Sequence, residues 1–193
     1  MYFSPWEVNG DLNKAIEKAK KEDKITMIDF FAVWCMPCKI LDKEVWQNED
    51  AINKENIKID IVPMKLVVEK EGAESAKKYS ITAFPTILFI DKNGNEIGRK
   101  VGYGGTKDVL NTIKKNCADR ISTSELQEKL KNTQDDLSVT YKLATKLSIS
   151  NIKEAENLYQ SIYEKDKDNE KVYGTKAFID KLMIKLGELS NSI

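Results

Sequence analysis

The stretch "MIDFFAVWCMPCKIL", Met27 to Leu41, decides how the chain reads. An apolar run leads into Cys35 and Cys38, which are separated only by Met36 and Pro37. Ile25 to Ala32 is nearly all apolar, the composition of a strand buried on both faces, yet it contains Asp29. Pro37 and the run from Cys38 to Trp46 predict a helix that begins at the cysteine pair, with Ile40, Leu41 and Val45 among its apolar positions. At this point the pair has three open readings: a structural staple, half of a metal site, or a working redox couple.

Composition narrows them. The 193 residues suffice for one well-packed domain plus a smaller addition. Thirty-one basic side chains offset 31 acidic ones, so no net field draws nucleic acid or an anionic membrane. No apolar run is long enough to span a bilayer. A closed zinc site takes four Cys or His ligands, and the chain has 3 Cys and 0 His, so no metal is expected. The missing histidine also removes the usual base and partner of a hydrolytic cysteine. Three cysteines do not make a disulfide-stapled scaffold, so the core must hold the fold.

Working outward, Asp11 to Glu22 carries Leu12, Ala15, Ile16 and Ala19 on one helical face. Downstream, Ile57 to Val68 reads as a strand region interrupted or started by Pro63, and Glu71 to Tyr79 as a short helix. Thr86 to Ile90 and Glu96 to Val101 flank an Asn93-Gly94 turn, the signature of a β-hairpin. Thr106 to Cys117 follows as a helix with Val109, Leu110 and Ile113 inward; Cys117 joins that face as a small hydrophobe. Strands alternating with helices, then an antiparallel pair, predict an α/β unit: a mixed central sheet flanked by helices over residues 1–118.

Residues 119–193 predict an all-α C-terminal domain. Ser122 and Glu125 suit a capping box, and Asp136 to Leu147, Ile152 to Lys165 and Glu170 to Leu189 read as further helices. Leu143, Ala144, Leu147, Ala155 and Tyr159 resemble the small and large positions of a tetratricopeptide helix pair, whose repeat is about 34 residues long. An ordinary helical hairpin is the alternative reading.

A helix N-terminus exposes unpaired N–H groups and the positive end of its dipole, which favours a thiolate there. Cys35 is therefore expected in an exposed position as the attacking thiol, with Cys38 one turn on and pointing inward. Cys35 attacks a substrate disulfide, and Cys38 then attacks Cys35 to release the reduced product. Cys38 must lose a proton in a buried place, and a nearby carboxylate can take it. Asp29 is the candidate, its pKa raised by desolvation, with Lys65 moderating the charge.

These residues carry a resemblance. "DFFAVWCMPCK" is similar to the active-site segment of the thioredoxin superfamily, and "AFPT" to the segment bearing its cis-proline. The resemblance assigns Asp29 to the family's buried aspartate, Trp34 to the tryptophan before the pair, Lys65 to the buried lysine and Pro85 to the cis-proline. It assigns Gly102 to the glycine of the last strand that lines the peptide groove. It covers roughly residues 10–117 and implies a thioredoxin fold. "DLNKAIEKAKKEDKITMIDFFAVWC" and "CKILDKEVW" are further similar to bacterial extracytoplasmic thioredoxin-like proteins and to the C-terminal domain of membrane thiol:disulfide interchange proteins. That implies a periplasmic or otherwise extracytoplasmic location, with a cytoplasmic one as the alternative. The N-terminus "MYFSPWEVNG" lacks the basic-then-apolar layout of a signal peptide, an absence that leaves both locations open.

Two departures from the family touch the substrate surface: Met36 where glycine is usual, and Phe84 before Pro85 where a smaller aliphatic or threonine is common. The expectation is a thiol:disulfide oxidoreductase that reduces protein disulfides, with Trp34, Met36, Pro37, Phe84, Pro85 and Gly102 as its substrate rim. Its partners are protein disulfide substrates and an upstream dithiol donor, and it needs no cofactor beyond the Cys35–Cys38 couple. Two alternatives stand beside it. One is a partner-binding or assembly module using the C-terminal helices; the other is an oxidase or isomerase running the same chemistry in the other direction.

Overall fold

Alternation along the strands sorts the first unit into two layers of helix around one sheet. The computed structural model describes residues 10–48, 50, 60–133 and 135–190. Helix α1 (Leu12–Glu22) starts on Asp11, whose carboxylate accepts from the N–H groups of Asn13 and Lys14. Strand β1 (Ile25–Phe31) follows, then α2 (Met36–Leu41), which runs directly into a π-helical turn, Asp42–Trp46. Strand β2 (Ile61–Val67), α3 (Ala73–Lys78), the hairpin β3 (Thr86–Ile90) and β4 (Glu96–Val101), and α4 (Thr106–Ala118) complete the unit.

The sheet order is β2-β1-β3-β4, with β1 parallel to β2 and antiparallel to β3, and β3 antiparallel to β4. This is the mixed sheet of a thioredoxin fold. β1 occupies the centre, which is why it is almost wholly apolar, and β2 lies at an edge, where Pro63 is tolerated. Side chains of Ile25, Met27, Ile87 and Phe89 point to one face and pack against Leu41, Val45, Trp46, Val109, Leu110 and Ile113. Ile28, Phe30, Met64, Leu66, Leu88 and Ile90 point to the other and pack against Ala15, Ala19, Ala76 and Tyr79.

Several expected boundaries move for local reasons. The helix expected from Cys38 begins at Met36 with Cys35 as its N-cap, and its second half is a π turn rather than α-helix. The helix expected from Glu71 begins at Ala73, because the Glu71 carboxylate folds back to accept the Val67 N–H at 3.1 Å. In the hairpin, the Asp91 carboxylate accepts from the backbone of Asn93 and Asn95, so five residues, 91–95, make the turn. The expected strand start at Ile57 lies outside the described residues.

The chain divides into two compact units, Met1–Ser122 and Thr123–Ile193. Residues 119–122 stay with the first, where the Arg120 guanidinium donates to Asp60 Oδ2 at 3.1 Å and to the Asp23 carbonyl at 3.0 Å. The second unit is wholly helical: α5 (Thr123–Asn132), α6 (Leu137–Ser150), α7 (Ile152–Lys165) and α8 (Gly174–Ser190). Its core is Leu126, Leu137, Leu143, Ala144, Leu147, Ala155, Tyr159, Ile162 and Ala177. A single residue, Asn151, caps the end of α6 and the start of α7. The helix expected from Glu170 begins at Gly174. Ahead of it, the Asp166 carboxylate gathers the N–H groups of Lys171, Tyr173 and Gly174, each at 2.9 Å, into an irregular loop.

Candidate active site

Beyond the C-terminal end of β1 the chain turns once and starts α2, and the two cysteines sit across that start. Cys35 and Cys38 form a disulfide with Cα atoms 5.3 Å apart, and the Cys38 N–H donates to Cys35 Sγ at 3.2 Å. Cys35 thus caps α2 with its own sulfur. The expectation of an exposed Cys35 is not met, since its residue is only 2% exposed. With the ring closed, both cysteines fold against Ala32, with Phe31, Val68 and Phe84 packed around them. What faces solvent is the rim: Trp34 is 70% and Met36 63% exposed. The Trp34 and Phe84 rings meet edge to face at 5.9 Å.

The opposite wall comes from the hairpin. The Phe84–Pro85 peptide bond is cis, and the Pro85 carbonyl accepts the Gly102 N–H at 2.8 Å. Gly102 follows β4 directly and has φ +76, a backbone state that glycine adopts without strain. The expected rim residues Phe84, Pro85 and Gly102 are therefore joined by one backbone contact. Across the site, Glu69 Oε1 accepts the Val33 N–H at 3.2 Å and ties the loop before the cysteines to the one after β2. Nothing in the local sequence marked Glu69, because its partner lies 36 residues away.

Asp29 is fully buried in β1, on the sheet face covered by the helix that carries Cys38. Its Oδ2 accepts from Trp46 Nε1 at 3.1 Å, and its Oδ1 has no hydrogen-bond partner among the described residues. Loss of hydration pushes its carboxyl up to about 7, the nearby Lys65 ammonium opposing and the Asp42 carboxylate adding to that effect. Lys65 is the register neighbour of Asp29 in the parallel β1–β2 pair. Its ammonium, expected to moderate the Asp29 charge, acts on it while hydrogen-bonded to Asp42 of the π turn at 2.5 Å and lies 4.2 Å from the Phe31 ring centre. Asp42 reaches it because the covering helix lies over that corner of the sheet. Asp42 and Trp46, like Glu69, are site residues that sequence reasoning missed. Both sit in what reads as ordinary helix, and only tertiary packing gives them partners.

Cys117 packs half-buried against the cluster on the Asp29 face of the sheet, and burial pushes its thiol up. Among the described residues there is no group of three or more Cys, Asp or Glu that could hold a metal ion. None of the described helices is long and apolar enough to cross a membrane.

A four-stranded mixed sheet with a disulfide at the start of a helix, packed against the residue that precedes a cis-proline, defines a dithiol–disulfide protein of thioredoxin type. A sequence model of the thioredoxin-like domain matches residues 12–116, and the chain belongs to that family of thiol:disulfide oxidoreductases. It is 47% identical over 96 residues to a thioredoxin of Echinococcus granulosus, covering 50% of this chain and 79% of that protein. It is 30% identical over 100 residues to the thiol:disulfide interchange protein DsbD of Colwellia psychrerythraea, covering 50% of this chain but only 16% of that protein. The crystal structure of the reduced thioredoxin pre-protein of Schistosoma mansoni is 34% identical, with a TM-score of 0.41, over 55% of this chain and 90% of that one.

Proposed function

We propose that the chain reduces protein disulfides through its Cys35–Cys38 dithiol and is itself recharged by an upstream dithiol donor. The observation that carries this reading is the disulfide at the head of α2, ringed by exposed Trp34 and Met36, on a helix that covers buried Asp29. Cys35 thiolate attacks the substrate disulfide, forming a mixed disulfide and releasing one substrate thiolate. Asp29 accepts the Cys38 proton, directly or through a water, and Lys65 acts on Asp29 through its charge while bound to Asp42. Cys38 then attacks Cys35 Sγ, which frees the second substrate sulfur and closes the ring. Trp34, Met36, Pro37, Phe84, Pro85 and Gly102 form the rim that receives an extended substrate segment, and neither metal nor organic cofactor takes part. The likeness to an interchange protein supports work outside the cytoplasmic membrane.

Insulin reduction in the presence of dithiothreitol tests the reading. The wild type accelerates precipitation of the insulin B chain and Cys35→Ser does not; equal rates for the two would refute it.

A second reading is favoured by one observation. On α8, Phe178, Ile179, Leu182, Met183, Leu186 and Leu189 are all exposed large apolar side chains. The helical unit, with its one-residue α6–α7 connection and close-packed Ala144 and Ala155, then serves as a tetratricopeptide-like partner-binding module. Charged substitutions along this face that abolish capture of a physiological partner while leaving insulin reduction intact would establish it. The reverse direction of electron flow, as an oxidase or isomerase, is decided by the reduction potential.

A further inference from the structure

We infer that Trp46 is a positioning residue for the dithiol reaction, acting through the hydrogen bond that its indole N–H donates to Asp29. The inference rests on the reading of Asp29 as proton acceptor and names the group that prepares it.

The π turn is what brings Trp46 there. Eight residues along an unbroken α-helix would rotate Trp46 about 80° away from Cys38 around the helix axis. The π turn, closed by the Gln47 N–H on the Asp42 carbonyl at 2.8 Å, absorbs one residue, which returns Trp46 to within about 20° of Cys38. Trp46 thereby faces the sheet on the side of the helix that also carries Cys38 and Leu41, and its ring is 3% exposed.

Chemistry gives the contact a direction. An indole N–H donates and cannot accept, so it is a better partner for a carboxylate than for a carboxylic acid. By occupying Oδ2 it also leaves Oδ1 as the oxygen that receives the proton. The charged groups facing Asp29 are Lys65 from β2 and Asp42 from the π turn, and these two bind each other. β3 offers Ile87 as the register neighbour, which carries no charge. In the step itself, the Cys38 proton passes to Asp29 Oδ1. The Cys38 thiolate attacks Cys35 Sγ, the Cys35–Cys38 bond forms, and the bond from Cys35 to the substrate sulfur breaks. The substrate leaves as a thiolate, having taken two electrons from the pair.

Trp46→Phe keeps a ring and removes the donor. Carbon-13 titration of the Asp29 carboxyl in the oxidised protein, together with single-turnover release of substrate thiol from pH 5 to 10, reads the effect. The expected result is an upward shift of the Asp29 midpoint by about half to one pH unit, matched by the release-rate profile, with the plateau rate regained at high pH. A uniform loss of rate with an unmoved midpoint marks a structural role and overturns the inference. A measurement on the folded wild type stands beside the variant. The Trp46 indole N–H resonance should titrate with a midpoint of about 7, and this movement should vanish in Asp29→Asn; a flat resonance overturns the inference. If Asp29→Asn keeps the wild-type release profile, it is the proton-acceptor reading that fails, whatever the Trp46 resonance does.

Discussion

In the first unit, β1 buries every residue from Ile25 to Phe30 and β3 every residue from Thr86 to Ile90. Among its described residues, the exposed large apolar side chains are Val33, Trp34, Met36 and Ile40 beside the cysteines and Val101 at the end of β4. In the helical unit Ile149, Ile152 and Val172 are exposed outside α8, and the longest series of exposed apolar side chains runs along one helix, from Phe178 to Leu189 on α8. A central sheet covered on both faces leaves few apolar groups to spare, and most of those left out ring the proposed substrate site. A helical stack covers one face of each terminal helix and leaves the other to solvent or to a partner. Exposure therefore clusters at the proposed reaction rim in one unit and along an uncovered packing face in the other.

The largest expected effect separates the two kinds of exposure by function. Cys35→Ser should lower insulin reduction by more than about 1000-fold, because the thiol that attacks the substrate disulfide is lost. Leu182→Lys with Leu186→Lys should leave the same rate within about twofold. A comparable loss in the α8 variant would erase the division of labour.

Stability provides the next contrast. Phe89, 0% exposed, packs in the core facing α2 and α4, and Phe89→Ala should cost about 3–5 kcal/mol in urea unfolding. Leu182→Ala, at a residue 44% exposed, should cost less than about 1 kcal/mol. A large cost at Leu182 would show that the α8 face is covered in solution.

Asp29 sharpens the comparison within the first unit, since it is stability given up at the site. Its folded pKa of about 7 lies above its ordinary 3.8, so the folded protein holds the proton more tightly than the unfolded chain. Stability at this residue is intact below pH 4, falls as pH rises from 4 towards 7, and stays reduced above 7. Asp29→Asn should thus be neutral at pH 4 and stabilising at pH 8 by on the order of 4 kcal/mol, as read from urea unfolding at the two pH values. In the second unit the corresponding buried carboxylate, Asp166, is fully engaged by three backbone N–H groups. Asp166→Ala should instead destabilise, detected as loss of helical signal from that unit at lower urea. One carboxylate costs stability and the other supplies it.

Much of this arrangement is legible in the sequence. β1, β3 and β4 follow from apolar runs and a turn, and Cys35, Cys38 and Asp29 follow from residue types at fixed places, whereas only the resemblance to the thioredoxin superfamily marks Pro85 and Gly102. What escapes reading has a common physical cause. A π turn is a one-residue slip, and nine residues from Cys38 to Trp46 are too few for periodicity to reveal it. Asp42 looks like an exposed helical acid until Lys65, 23 positions on, supplies its partner. Glu69 and Asp166 are likewise ordinary polar residues whose roles lie in backbone N–H groups that only the folded chain brings near. The start of α8 at Gly174 rather than Glu170 follows from that Asp166 clamp, which no helical propensity encodes.

The central claim, that Cys35 and Cys38 pass electrons to substrate disulfides, rests on their reduction potential. Met36 and Pro37 place no cation between the cysteines, so the thiolate gains only moderate stabilisation. Equilibration of the pair against glutathione buffers should give a value near −270 mV, on the reducing side with thioredoxin. A value of about −150 mV or higher would contradict the account and make the chain an oxidant or isomerase.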